Sequence, residues 1–269
     1  MKKALFTVLF SSILIVLLHV TAYAVTATID TKDSAKGIVK VTLAEIGSAQ
    51  VGAIVQKGDD RYQYLNLREA SILPLQMGTG DYVITVGEIV GGKLKTIAAE
   101  KVTVTSIDEK VMFTYSNPMV NYAISKTAIP TMKKLSNGAK NDKDKVVPIY
   151  EDIVKTFKYD QELANKVIAK TVTNYVPDID MVYAEKKGIC YGYSAVFGGA
   201  LRSLDIPTRM VWGFVPVPGL EDVLHAWNEV LLDGKWVAVD TTFDTESYRA
   251  GQKYDMIKDR SKAKIAKIY

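Results

Sequence analysis

The hydrophobic period of the chain changes along its length, and the changes divide it. Between residues 25 and 107, runs rich in β-branched residues at 39–43, 51–55, 82–86 and 102–104 show partial apolar–polar alternation, the spacing of half-buried strands. Gly58-Asp59-Asp60 and Gly91-Gly92 supply turn residues, and the second separates GEIV from KLKTI as a hairpin turn would. Several short strands with such turns predict a small all-β sandwich. From 108 to 145 the pattern weakens, with Asn117-Pro118, Asn137-Gly138 and the polar run KNDKDK, so this stretch reads as a linker. Helical spacing then sets in. Val147, Ile149 (or Tyr150), Ile153, Val154 and Phe157 predict a helix over 146–159, with Pro148 in its first turn. A second helix fits 162–172, and 174–180, which contains Pro177, reads as a loop.

A further helix fits 191–204, with Ala195, Val196, Gly199, Ala200, Ser203 and Leu204 on a close-packed face, and Pro207 stops it. Residues 208–215 read as a strand, and 226–232 and 235–239 as two more, joined by the hairpin dipeptide Asp233-Gly234. The expected fold class is therefore α+β, preceded by the all-β unit. The expected division is a leader at 1–24, a β-sandwich domain at 25–107, a linker at 108–145, an α+β domain at 146–245 and a C-terminal tail at 246–269.

The first 24 residues have the layout of a secretory signal. Lys2 and Lys3 open it, an apolar run follows from 4 to 18, and Ala22-Tyr23-Ala24 forms a small-residue cleavage site. The run is short for a bilayer span, so cleavage before Val25 is expected rather than an uncleaved anchor. No other segment is long and apolar enough to cross a membrane, which places the expected product outside the cytoplasm, secreted or in the cell envelope, with no integral membrane segment. The formal net charge of +4 falls by two if Lys2 and Lys3 leave with the leader; that balance gives no footprint for nucleic acid. The basic end KDRSKAKIAKIY could touch an anionic surface, but a solvated terminus is the plainer reading.

Cysteine and histidine usage narrows the chemistry. The chain has one Cys and two His, and His19 lies in the leader. A single cysteine forms no internal disulfide, so Cys190 is either a buried inert thiol or a reactive one. Together with His225 it leaves too few nitrogen and sulfur ligands for a closed zinc site, and Asp178 and Asp180 in one loop do not make a calcium site. No metal or cofactor is expected. Cys190 falls at the start of the helix over 191–204, where free N–H groups and partial positive charge favour a thiolate. His225 and Asp240 are placed almost symmetrically about the turn at 233–234, within cross-strand reach. Thiol, imidazole and carboxylate together are the parts of a nucleophilic acyl-transfer site. Asp240 alone would read as a strand-end cap; beside His225 it reads as the group that orients the ring.

The segments GICYGYSAVFGGALRSLDIPTRMVWGFV and HAWNEVLLDGKWVAVDTTFD closely resemble the cores of the transglutaminase-like superfamily. The resemblance covers about 146–244. It implies a papain-like thiol acyl-transfer core with Cys190 as nucleophile, His225 as general base and acid, and Asp240 as orienter. Two positions depart from the family pattern: Asp205 stands where glycine is usual and Thr241 where proline is usual. Lys158-Tyr159-Asp160 resembles an element whose ring can help bind the oxyanion, which makes Tyr159 an oxyanion candidate as well as a candidate core residue. Trp227 of His-Ala-Trp is a candidate wall of the acyl site, or core. The resemblance implies an enzyme acting on amide bonds of proteins or cell-envelope peptides. Hydrolysis is favoured because an amine acceptor would need its own site. Protein crosslinking by transfer to an amine is the alternative, and a non-catalytic surface-binding module on the same fold is the rival from another class. The β-sandwich, without Cys or His, reads as a spacer or binding module.

Overall fold

The computed structural model describes residues 24–216 and 222–269. The expected leader, His19 included, lies outside the described residues except for Ala24. Among the described residues no helix is long and apolar enough to cross a membrane.

The first part of the chain forms two antiparallel sheets. Strands β1 (Thr26–Asp30), β2 (Ile38–Ala44) and β5 (Ala70–Pro74) make one, in the order β1-β2-β5. Strands β3 (Val51–Lys57), β4 (Asp60–Tyr64), β6 (Gly80–Val90) and β7 (Lys93–Val104) make the other, in the order β4-β3-β6-β7. Alternate side chains point inward: Val39, Val41 and Leu43 from β2 and Val51, Ala53 and Val55 from β3 are buried. This is the expected sandwich. Gly91 and Gly92 form the β6–β7 turn with positive φ of 56° and 76°, the backbone that two-residue hairpins need.

The chain then enters a mixed region. Helices α1 (Glu109–Met112), α2 (Ala128–Leu135), α3 (Asp142–Thr156), α4 (Gln161–Ile168) and α5 (Ile179–Glu185) precede α6 (Cys190–Arg202), with α7 (Thr241–Arg249) further on. The stretch expected as a linker thus contains packed structure: Ala128, Ile129 and Met132 of α2 are buried and the helix lies against α6. Its eight residues are too few to show a clear period. Part of the expected loop at 174–180 opens α5. Asp178 caps α5 through Met181 N–H at 3.0 Å. Asp180 accepts from the Lys126, Thr127 and Ala128 N–H groups at the start of α2. Both aspartates therefore serve helix termini.

Behind α6 lies an antiparallel sheet in the order β13-β12-β11-β10-β14, made of β10 (Thr208–Val215), β11 (Val223–Leu232), β12 (Lys235–Val239), β13 (Ile257–Lys258) and β14 (Lys264–Ile268). Two strands come from the segment expected as a solvated tail. They are edge strands with mostly exposed side chains, held by backbone bonds that leave little apolar signature. Helix α6 is buried from Tyr191 to Arg202. Its Gly198 and Gly199 permit the closest approaches: an added Cβ would lie 2.8 Å from Asn228 Nδ2 and 3.0 Å from Tyr122 Cβ, respectively.

Candidate active site

Cys190 is the first residue of α6. The cap position before it is Ile189, whose side chain makes no capping bond, so the first-turn N–H groups keep their donors for something else. A two-residue parallel pairing fixes the approach: β8 (Lys158–Tyr159) runs beside β9 (Lys187–Gly188), with Tyr159 opposite Gly188. Cys190 is partly exposed, and Tyr159 and His225 line the same cleft.

The Asp233-Gly234 turn pairs Leu232 with Lys235 and Asn228 with Val239. Continuing that register sets Asp240 opposite Trp227 and diagonal to His225. His225 is 6% exposed and Asp240 1%, and His225 Nε2 meets Asp240 Oδ2 at 2.8 Å. Nδ1 is then the ring nitrogen left for Cys190. The other carboxylate oxygen accepts from Phe243 N–H at 3.0 Å and caps α7. The cap and the imidazole partner, which compete as readings of the sequence, are the two oxygens of one carboxylate.

Burial works against a charged His225, but Asp240, with a smaller contribution from Cys190, outweighs it and raises the pKa to about 9. Burial likewise opposes the charge on Asp240, while His225, Arg260 and the Phe243 N–H hold its carboxyl below the usual carboxylate range. Burial pushes the Tyr159 hydroxyl up to about 12, so it remains a hydrogen-bond donor across neutral pH.

Trp227 does not form the wall. It is 1% exposed, absent from the cleft lining, and stacked behind His225 with ring centroids 6.4 Å apart. Gly213 makes the space for it: a Cβ there would lie 2.8 Å from Trp227 Cη2. Trp212, from the neighbouring strand position, lines the cleft instead. Two further residues were not singled out in the sequence. Phe243 stacks face to face on His225 at 4.3 Å and 7°. Arg260 donates from Nη2 to Asp240 Oδ2. Neither has a local signature, because each is brought to His225 by packing rather than by strand register.

The cleft measures about 800 Å³. Its lining includes apolar residues from α4 and the loop beyond it, Val167, Ile168, Val172 and Tyr175, and polar residues from β4 and its turn, Asp59, Asp60, Arg61 and Gln63. Among the described residues no group of three or more His, Cys, Asp or Glu side chains is placed to hold a metal ion.

A partly exposed thiol at a helix start, beside an imidazole held by a buried carboxylate, defines the class of site. Residues 130–241, less than half of the chain, match the family model described as the transglutaminase-like superfamily. No curated protein matches the chain. Among solved structures, one titled as a TGase is 27% identical with a TM-score of 0.35, the match covering 45% of this chain and 32% of that one. The chain thus spans about a third of that protein's length. A cysteine-protease candidate from Cytophaga hutchinsonii is 16% identical, with 72% of each chain covered and a TM-score of 0.42. The periplasmic domain of TgpA from Pseudomonas aeruginosa, bound to ethylmercury, is 17% identical, with 80% of this chain and 74% of that one covered and a TM-score of 0.39.

Proposed function

We propose that this chain is an extracytoplasmic thiol enzyme that cleaves amide bonds in proteins or peptides through an acyl-enzyme. The observation that carries this reading is His225, bonded at 2.8 Å to the buried Asp240 carboxylate and lining one cleft with Cys190 at the free N-terminal turn of α6. A thiolate on Cys190 attacks the carbonyl carbon. The oxyanion is met by the Cys190 N–H and by the Tyr159 hydroxyl. His225, protonated at neutral pH, gives its proton to the leaving amine as the C–N bond breaks. Water, activated by the neutral imidazole, then releases the acid and regenerates the thiol. Hydrolysis is favoured over transfer because water needs no site of its own. The apolar part of the lining fits a peptide side chain beside the scissile bond. The leader carries the proposed location.

Two measurements test this reading. Iodoacetamide should alkylate Cys190 in the folded chain at neutral pH faster than an ordinary free thiol, and His225→Gln should slow it by tenfold or more, on the order of the general-base contribution. A Cys190 that reacts only after unfolding would make the site a scaffold. Mass spectrometry of labelled protein and cell-envelope peptides, with and without a primary amine, then separates hydrolysis from exchange. Exchange without net cleavage would replace the hydrolase by a crosslinking transferase.

A further inference from the structure

Arg260 lies between β13 and β14, beyond the segment matched by the family model. Its Nη2 donates to Asp240 Oδ2, the oxygen that also holds His225. Its guanidinium is 5.7 Å from the Trp227 ring centroid and 5.5 Å from that of Phe243, the ring stacked on His225. The side chain is 18% exposed. One buried carboxylate oxygen therefore serves two cationic groups, and an aromatic pair holds the second in place.

We propose, on the thiol-enzyme reading above, that Arg260 is a positioning residue that fixes the Asp240 carboxylate and shares its charge with the His225 imidazolium. Among the described residues, the charged and titratable groups around the ring are few. Cys190 faces it from α6, Asp240 from the start of α7, and Arg260 from the β13–β14 loop; Tyr159 lines the cleft from β8. One turn into α7, Asp244 is held by Lys258 and by Tyr150, the latter at 2.7 Å. Lys267 and the β4 residues Asp60 and Arg61, with Asp59 of the preceding turn, also line the cleft. Arg260 is thus the cation bonded to the carboxylate that stabilises the imidazolium. A fixed cation there disfavours a second positive charge beside it.

Arg260→Gln keeps an N–H donor and removes the charge. NMR titration of the full chain, with the His225 signal assigned by its loss in His225→Gln, should show the His225 pKa rising by about half a unit or more. Arg260→Lys, which retains the charge, should titrate close to wild type. A His225 pKa unchanged or lowered in Arg260→Gln overturns the proposal, as does an equal rise in Arg260→Lys, which also decides the matter if the glutamine variant does not fold. The titration needs no substrate. Failure of the enzyme reading shows separately, as a wild-type Cys190 inert to iodoacetamide.

Discussion

Asp240 divides its two oxygens between structure and chemistry, and this sets what a substitution there does. Asparagine can cap Phe243 N–H with its oxygen, but its amide then points donors at the donors of protonated His225 and Arg260. Turned the other way, it leaves the cap unmet. Asp240→Asn should therefore lower the melting temperature, by the equivalent of about 1–3 kcal/mol, and also slow Cys190 alkylation and any turnover; a purely capping residue would lose only the first and a purely orienting one only the second. Calorimetry and alkylation of the same variant separate these outcomes. His225 gives a pH signature. Its folded pKa, raised to about 9 from the ordinary imidazole value of about 6.5, means that the native state holds a proton the unfolded chain releases. The stability that proton supplies is complete below about pH 6.5 and is lost as pH rises through about 9. The melting-temperature difference between wild type and His225→Gln should accordingly shrink across that window, and a difference flat with pH would contradict the raised pKa. At this scale the sequence was informative wherever local geometry fixes distance: a two-residue turn determines the register, so the nearness of His225 and Asp240 could be counted. Arg260 could not, because it reaches Asp240 from a loop twenty residues away.

Strands and helices in this fold are set by where backbones must come close. Gly213 sits opposite His225 on β10, at the point where the β10–β14 register shifts. A Cβ there would lie 2.5 Å from the Lys264 carbonyl oxygen and 2.8 Å from Trp227 Cη2. The carbonyl belongs to the backbone and cannot swing away. Gly213→Ala should cost about 1–3 kcal/mol, as overpacked cores do, and should disturb the Trp227 ring behind His225; Trp fluorescence and thermal melting check both effects. An alanine variant with unchanged melting would mean that β14 yields easily at this edge. Elements with long apolar faces were visible in the sequence: β2, β3, β10 and α6 lie within a few residues of where the period places them. Helix α2 and strands β13 and β14 were not. The first has only two turns, and the edge strands bury little, so neither writes a period into the sequence.

The N-terminal sheets and the sheet behind α6 are joined beside the cleft rather than strung on a linker. Tyr269 is 7% exposed and makes edge contacts with Tyr62 at 5.4 Å, Tyr64 at 6.1 Å and Trp212 at 5.7 Å. Lys267 Nζ donates to the Arg61 carbonyl at 2.8 Å, and Ile268 N–H to the Tyr62 hydroxyl at 3.2 Å. The β4 edge, which supplies polar residues of the cleft lining, is thereby fastened to β14, and one cluster of buried side chains runs from Val25 to Tyr269. Nothing in the sequence of the β unit shows this, because its contribution is a position beside the cleft and not a reactive side chain. The chain should therefore unfold in one cooperative transition. Tyr269→Ala removes the ring between Tyr62, Tyr64 and Trp212, and should cost about 3 kcal/mol. Because the lost contacts join β4 to β10, the N-terminal sheets should then melt apart from the rest. Differential scanning calorimetry checks both expectations: two transitions in the wild type, or a Tyr269→Ala variant that melts as the wild type does, would show that the β unit stands beside the cleft without being coupled to it.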